Sequence, residues 1–284
     1  MSGRQTAPPR EDVRFDTGDG CCAASLYRPD DTGTAAPVVV LAHGMGGMRQ
    51  LLDIDRQLAD VAAALRYVRG HAHLDPTRVV LWGTSFGGGH VLLAAARDDA
   101  RPGVDAVITR CPFTDGLASA LATRPRSAWT VVRRSVRDRV AARRGRRPIM
   151  VATAGPPGSV ALMTAPDAES GHLALVPDQP HGFRNEVAAR VGLSSICHRP
   201  GRYTAGISCP VLFTVCDDDT VAPARTTIRH ARRAPRAEIR RYPTGHFDIY
   251  CGQAFEQVID DRIEFLTRHV STEIQPRTSS TTTD

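Results

Sequence analysis

The chain has 284 residues, 42% of them hydrophobic, enough to bury one sizeable core and too few for two full enzyme domains. Its formal charge is +6 at pH 7 and it contains no lysine, which excludes Schiff-base chemistry and a phosphate-binding P-loop. The polar opening "MSGRQTAPPRED" lacks the apolar core of a secretory signal, and no apolar run approaches the roughly 20 residues of a membrane helix, so a soluble cytoplasmic protein without a membrane partner is expected.

In chain order, residues 1–12 are expected to be disordered. "DVRFDTGDGCCAASLYRP" offers two short extended segments hinged at "TGDG", a hairpin signal with glycine where a positive φ is wanted. "PVVVLAHG" reads as a buried parallel strand, since a strand covered by helices on both faces is apolar almost throughout. In "RQLLDIDRQLADVAAALRYVR" the apolar residues Leu51, Leu52, Ile54, Leu58, Val61, Leu65 and Val68 recur at helical spacing. "DPTRVVLWG" is a second strand, a helix runs from Ser85 to about Arg97, and "GVDAVITRCPF" is a third strand.

Regularity then fades. Residues 114–206 mix prolines, glycines and short apolar pieces, as in an insertion capping a sheet. Within it, "VVRRSVRDRVAARRGRR" carries Val132, Val136 and Val140 every fourth residue, the pattern of one buried stripe on a solvated helix. The arginines are therefore assigned to a solvated face, and no nucleic-acid partner is expected. "CPVLFTVCDDDTVAP", "ARTTIRHARRA", "AEIRRYPTG" and "AFEQVIDDRIEFLTRHV" resume the strand and helix alternation, and the tail 271–284 is expected to be disordered. Alternating strands and helices predict an α/β fold, a mostly parallel sheet with helices on both faces, over about residues 13–270. The seven cysteines are odd in number and scattered, which suits buried structural thiols better than a disulfide framework or a metal site.

The chemistry centres on "GTSFG", Gly83 to Gly87, at the junction of a strand and a helix. A GxSxG pattern alone is weak, but a strand before it and a helix after it are the context of a nucleophile elbow. Such a turn strains the serine backbone and crowds the residues two before and two after it, hence Gly83 and Gly87. Ser85 would sit at the positive end of the following helix. A serine hydroxyl needs a base, and the base an orienting acid, both from later strand ends. His246, after the last strand, has the best topological position of the ten histidines. Asp219 is chosen among Asp217, Asp218 and Asp219, the other two being read as loop and helix-capping residues. The oxyanion hole needs two preorganised N–H groups, expected from Phe86 and from Met45 in "HGMGG". His43 and Gly44 support that loop, with His43 holding it through hydrogen bonds rather than acting in catalysis.

Taken together, "HGMGG", "GTSFGGG", "CDDDTVAP" and "GHFDIY" resemble the α/β-hydrolase superfamily, in order as well as in motif, from about Val13 to Val270. "LYRP", "WGTSFGG" and "CPFTDG" are similar to bacterial hydrolases near the dienelactone hydrolase, serine aminopeptidase and X-Pro dipeptidyl-peptidase-like groups. The resemblance implies a Ser85, Asp219, His246 triad with no metal or cofactor. The sequence departs from the superfamily between the oxyanion loop and the nucleophile strand, where one helix stands in place of two helices and a strand. A missing strand-helix unit of roughly 30 residues or more is expected, leaving the first hairpin without a partner strand and one sheet face without its helix. The expected function is a serine hydrolase of carboxylic esters acting on a small ester or amide through an acyl-enzyme; a serine peptidase and a non-catalytic hydrolase-like protein are the alternatives.

Overall fold

The computed structural model describes residues 9–18, 20–28, 36–45, 53–98, 103–123, 125–176 and 182–270. The expected disorder of 1–8 and 271–284 lies outside them, as do Leu51 and Leu52.

Strands β1 (Arg10–Asp16) and β2 (Cys21–Tyr27) form an antiparallel hairpin with Val13 opposite Ala24. Thr17 N–H donates to Gly20 O at 3.0 Å, and Gly18 takes φ 88°, so the turn is where the glycines predict it. The first strand begins at Arg10, inside the stretch 1–12 expected to lack order, because pairing with β2 carries the hairpin out to Tyr27.

β3 (Ala36–Ala42), helix α1 (Ile54–Gly70), β4 (Leu74–Thr84), α2 (Phe86–Arg97) and β5 (Ala106–Arg110) follow. Asp53 caps α1 by accepting from the amides of Asp55 and Arg56. After the insertion come β9 (Val211–Cys216), α7 (Ala224–Ala231), β10 (Ala237–Tyr242) and α8 (Gly252–His269). The main sheet is parallel, in the order β3-β4-β5-β9-β10. On one face Val79, Leu81 and Phe213 pack with Val61, Leu65 and Val68 of α1 and Val91 and Leu92 of α2. On the other, Val80, Ile108 and Leu212 pack with Phe265 of α8. Helices on both faces explain why these strands are apolar almost without interruption.

Between β3 and β4 the described residues hold α1 alone, and β1-β2 is a sheet of its own. Val39 and Leu41 pair with Val80 and Trp82 and point to the α8 face, yet they are 41% and 64% exposed.

The insertion contains α3 (Gly116–Ala122), α4 (Pro125–Arg143), β6 (Met150–Ala154), β7 (Ala161–Met163), α5 (Ala168–Ala174), β8 (Glu186–Ala188), α6 (Arg190–Cys197) and a 3-10 helix over Pro200–Gly206. Its strands form a separate sheet, β7-β6-β8. Helix α4 exists as predicted, but the expected stripe is one position off: Val136 and Val140 are exposed, while Val131, Ser135 and Asp138 are buried. Polar satisfaction outweighs the valine spacing. Ser135 Oγ donates to Ala189 O, and Asp138 accepts from the amides of Ile149 and Arg190 and from the Arg190 guanidinium. None of the seven cysteines is in a disulfide; Cys111, Cys209 and Cys216 are buried, but Cys21, Cys197 and Cys251 are exposed, so burial holds for a minority.

Candidate active site

β4 ends at Thr84 and α2 begins at Phe86, which leaves Ser85 alone on the turn with φ 51° and ψ −116°. For a residue with a Cβ this backbone costs on the order of 1–3 kcal/mol, and the surroundings must hold it. They do so with Ser85 N–H donating to Arg110 O at 2.8 Å and Phe113 N–H donating to Ser85 O at 2.8 Å. The flanking glycines are required sterically: a Cβ on Gly87 would lie 2.4 Å from the carbonyl oxygens of both Ala42 and His43. Gly88 and Gly89 let α2 lie close to β4 and to the turn after β5: a Cβ on Gly88 would lie 2.9 Å from Pro112 Cβ and 3.3 Å from Gly83 O, and one on Gly89 2.4 Å from Phe113 O and 2.8 Å from Pro200 Cγ.

His246 lies in the segment between β10 and a short 3-10 helix, Asp248–Tyr250, and is buried. Its Nε2 is 3.1 Å from Ser85 Oγ, and its Nδ1 is 2.8 Å from Asp219 Oδ2. Residues 161 and 27 positions from His246 thus converge on its two ring nitrogens. Asp219 is steadied by its other oxygen, which accepts from the amides of Val221 and Ala222. Asp217 instead pairs with Arg241 at 2.8 Å, and the Asp218 amide donates to Thr244 O. Neither caps α7, whose N-cap is Pro223.

Phe86 opens α2, where the first-turn N–H groups have no intrahelical acceptor and the helix dipole presents its positive end. Met45 lines the cavity beside Ser85 and packs against Phe86, Phe113 and Ile54. His43 Nδ1 lies 2.8 Å from Gly44 O, and Gly44 abuts Ser85 Cβ.

Several supporting residues escaped the sequence reading. Beneath the elbow, Thr84 Oγ1 is 2.7 Å from the Tyr250 hydroxyl and accepts from Arg110 Nε, whose guanidinium lies 3.9 Å from the Tyr250 ring centroid. Burial pushes the Tyr250 phenol well up, so it stays a neutral hydrogen-bonding group. The only hint in sequence was the tyrosine of "GHFDIY". Beyond Ser85 opens a cavity of about 510 Å³, within the usual range for small-molecule sites. Its far walls come from the insertion, including Val131, Leu162, Met163 and Ile196, and among the described residues the one charged group in its lining is Asp219. No sequence signal marks these residues, because they are brought together from α4, β7 and α6 by tertiary packing.

Comparison with known proteins agrees with the topology. Among curated proteins, the "Quorum-quenching protein AidA" of Acinetobacter baumannii (strain MDR-ZJ06) is 45% identical over 293 residues, covering 91% of this chain and 95% of the relative. That alignment is longer than the share of this chain it takes up, so the relative carries residues with no counterpart here. Two solved structures share the fold. DcsB in complex with a substrate analogue has a TM-score of 0.76 at 20% identity, covering 92% of this chain and all of that one. A monoglyceride lipase from Saccharomyces cerevisiae bound to a substrate analogue has a TM-score of 0.66 at 16% identity, covering 96% and 99%. A family model described as the alpha/beta hydrolase fold matches residues 49–252, and with the parallel sheet and the 45% identical relative it follows that this chain belongs to the α/β-hydrolase family.

Proposed function

We propose that the protein is a serine hydrolase of small, uncharged carboxylic esters, working through an acyl-enzyme. The observation that carries this reading is the unbroken series Ser85 Oγ, His246 Nε2, His246 Nδ1, Asp219 Oδ2, with steps of 3.1 and 2.8 Å across its hydrogen bonds. Ser85 attacks the ester carbonyl while His246 Nε2 takes its proton, and Asp219 holds the ring and stabilises the imidazolium. Negative charge on the tetrahedral oxygen is met by the N–H groups of Phe86 and Met45, each such donor contributing about 3 kcal/mol to the transition state. Collapse expels the alcohol, protonated by His246. Water activated by the same nitrogen then releases the acid. The apolar cavity favours an uncharged acyl or alcohol group over a peptide with a free amino terminus, which would need a partner acid, whereas the one acid among the described lining residues, Asp219, is taken up by His246 and two backbone amides.

The insertion 114–206 is the cap that selects this group. Among the described residues no helix is long and apolar enough to cross a membrane, and the reading extends to a cytoplasmic enzyme acting on a small molecule. The test is hydrolysis of short-chain nitrophenyl esters by the wild type and by Ser85→Ala. Turnover abolished by the substitution is expected; equal background rates from both proteins, with the wild type cooperatively folded, would overturn it.

A second reading, a hydrolase fold without turnover, is favoured by one observation: Val39 and Leu41 lie bare on the sheet face that α8 covers elsewhere. With the surplus positions in the relative, this supports a chain that has lost a strand-helix unit beside β3. The same assay separates the two readings.

A further inference from the structure

Behind the proposed triad two thiols converge. Cys111 follows β5, Cys216 ends β9, and their Sγ atoms are 3.3 Å apart. With the Asp219 carboxylate they offer three donor atoms, all within 4.8 Å of one another. The two cysteines are 2% and 0% exposed, and the Asp219 side chain 2%.

Each donor is held by backbone structure. Cys111 takes φ 43°, which residues other than glycine seldom adopt, and its amide donates to Thr214 O at 2.9 Å. Cys216 closes the strand on which Thr214 lies. Asp219 accepts the amides of Val221 and Ala222. A thiophilic tetrahedral ion sits about 2.3 Å from each sulphur and about 2.1 Å from a carboxylate oxygen, so the three donors need move only a little to embrace one. Two sulphurs and one oxygen select soft or borderline divalent ions over calcium or magnesium, which take all-oxygen sites.

We infer that Cys111, Cys216 and Asp219 form a binding site for a thiophilic divalent cation, zinc or cadmium, and that the ion inhibits the hydrolase by drawing Asp219 away from His246. Binding forms two metal–sulphur bonds and releases one proton to solvent from each thiol; no electrons are transferred. The ion reaches the site past Asp219, which lines the cavity, and water from that side supplies a fourth ligand. With its carboxylate engaged, His246 Nδ1 loses the acceptor that orients the ring. The binding half of this inference stands on the donor set alone, whereas the inhibitory half rests on the proposed serine hydrolase function.

Cadmium chloride is the probe. The wild type, Cys216→Ala and Ser85→Ala are titrated while the thiolate-to-cadmium charge-transfer absorption is followed, and ester hydrolysis is measured in parallel for the first two. Cys216→Ala is expected to bind one cadmium fewer than the wild type, and Ser85→Ala to bind as the wild type does. The remaining cysteines contribute equally to all three proteins and cancel. Cadmium is expected to slow the wild type about a hundredfold or more, the scale of losing an orienting acid, and to leave Cys216→Ala near its own rate. Equal stoichiometry in wild type and Cys216→Ala overturns the site. Should Cys216→Ala fail to fold, cadmium NMR of the wild type decides, because the absence of a two-sulphur resonance overturns it equally. If the wild type binds cadmium through the pair but keeps its rate, the inhibitory half falls. A wild type without esterase activity removes the function reading and that half together, leaving the binding result intact.

Discussion

Gly83 and Gly87 face each other across the elbow so closely that a Cβ on Gly83 would lie 2.4 Å from Gly87 O and 2.7 Å from Val91 Cγ2. The first neighbour is backbone and cannot yield without moving α2. Gly83→Ala is therefore expected to cost about 3 kcal/mol or more, at or beyond the upper end of ordinary overpacking. Chemical denaturation gives the midpoint shift; an unchanged midpoint would refute the close approach. Gly18→Ala meets no atom within 4 Å, and its cost should be only the strain of φ 88°.

The three neighbouring aspartates separate cleanly in a kinetic series. Asp219→Asn is expected to lower kcat by roughly 10⁴ while leaving the fold intact, because the amide turns His246 to the wrong tautomer. Asp217→Asn loses only a surface pair with Arg241, worth about 1 kcal/mol or less of stability, and should hydrolyse esters at close to the wild-type rate. Equal losses from the two substitutions would take Asp219 out of the relay.

Asp138 tests the architecture of the insertion. Burial alone would raise its carboxyl, but hydrogen bonds from the Arg190 side chain and from the amides of Ile149 and Arg190 hold it below the usual range. Asp138→Ala would leave these donors and the guanidinium unpaired, at a cost of about 3–5 kcal/mol. The depressed carboxyl contributes stability that is present above the ordinary carboxylate pKa and fades as the pH falls through its own lower value. Thermal melts of the variant at neutral pH measure the loss; a shift no larger than that of a surface substitution would contradict it.

His90 and His198 make the fold sensitive to mild acid. Burial pushes His90 down to about 3 and His198 down to about 4, so both stay neutral where an unfolded chain would be protonated. Stability is full above the unfolded value near 6.5 and declines as the pH falls towards the folded values. Between pH 6.5 and 5 each histidine should remove about 2 kcal/mol. Melts of the wild type and of His90→Gln over that interval are expected to show a shallower decline in the variant; parallel curves would rule out His90 as a source.

The cavity predicts a chain-length profile. Each methylene buried against Leu162, Met163 and Ile196 contributes about 0.8 kcal/mol, roughly a fourfold rise in kcat/KM, until the space is filled. A homologous series of nitrophenyl esters should climb and then break. Ile196→Trp should move the break to shorter chains, whereas a flat series would show that the substrate lies elsewhere.

The amino-acid sequence by itself determined the order of strands and helices, because the apolar runs of β3, β4, β5 and β9 and the helical spacing of α1 and α8 are local patterns that helices on both sheet faces demand. It also marked Ser85, since glycines two residues to either side, between a strand and a helix, answer a local steric need. The choice of Asp219 over Asp217 followed from chain position, and the structure turns that residue alone of the three towards His246. Tertiary structure decided what depends on distant partners. The buried side of α4 is set by Asp138 meeting Arg190, 52 residues away, and not by the valines. The cavity is assembled from helices and strands that share no pattern. Cys111 and Cys216 stand 105 residues apart in sequence and 3.3 Å apart in space because β5 and β9 are neighbours in the sheet, a pairing that no periodicity records.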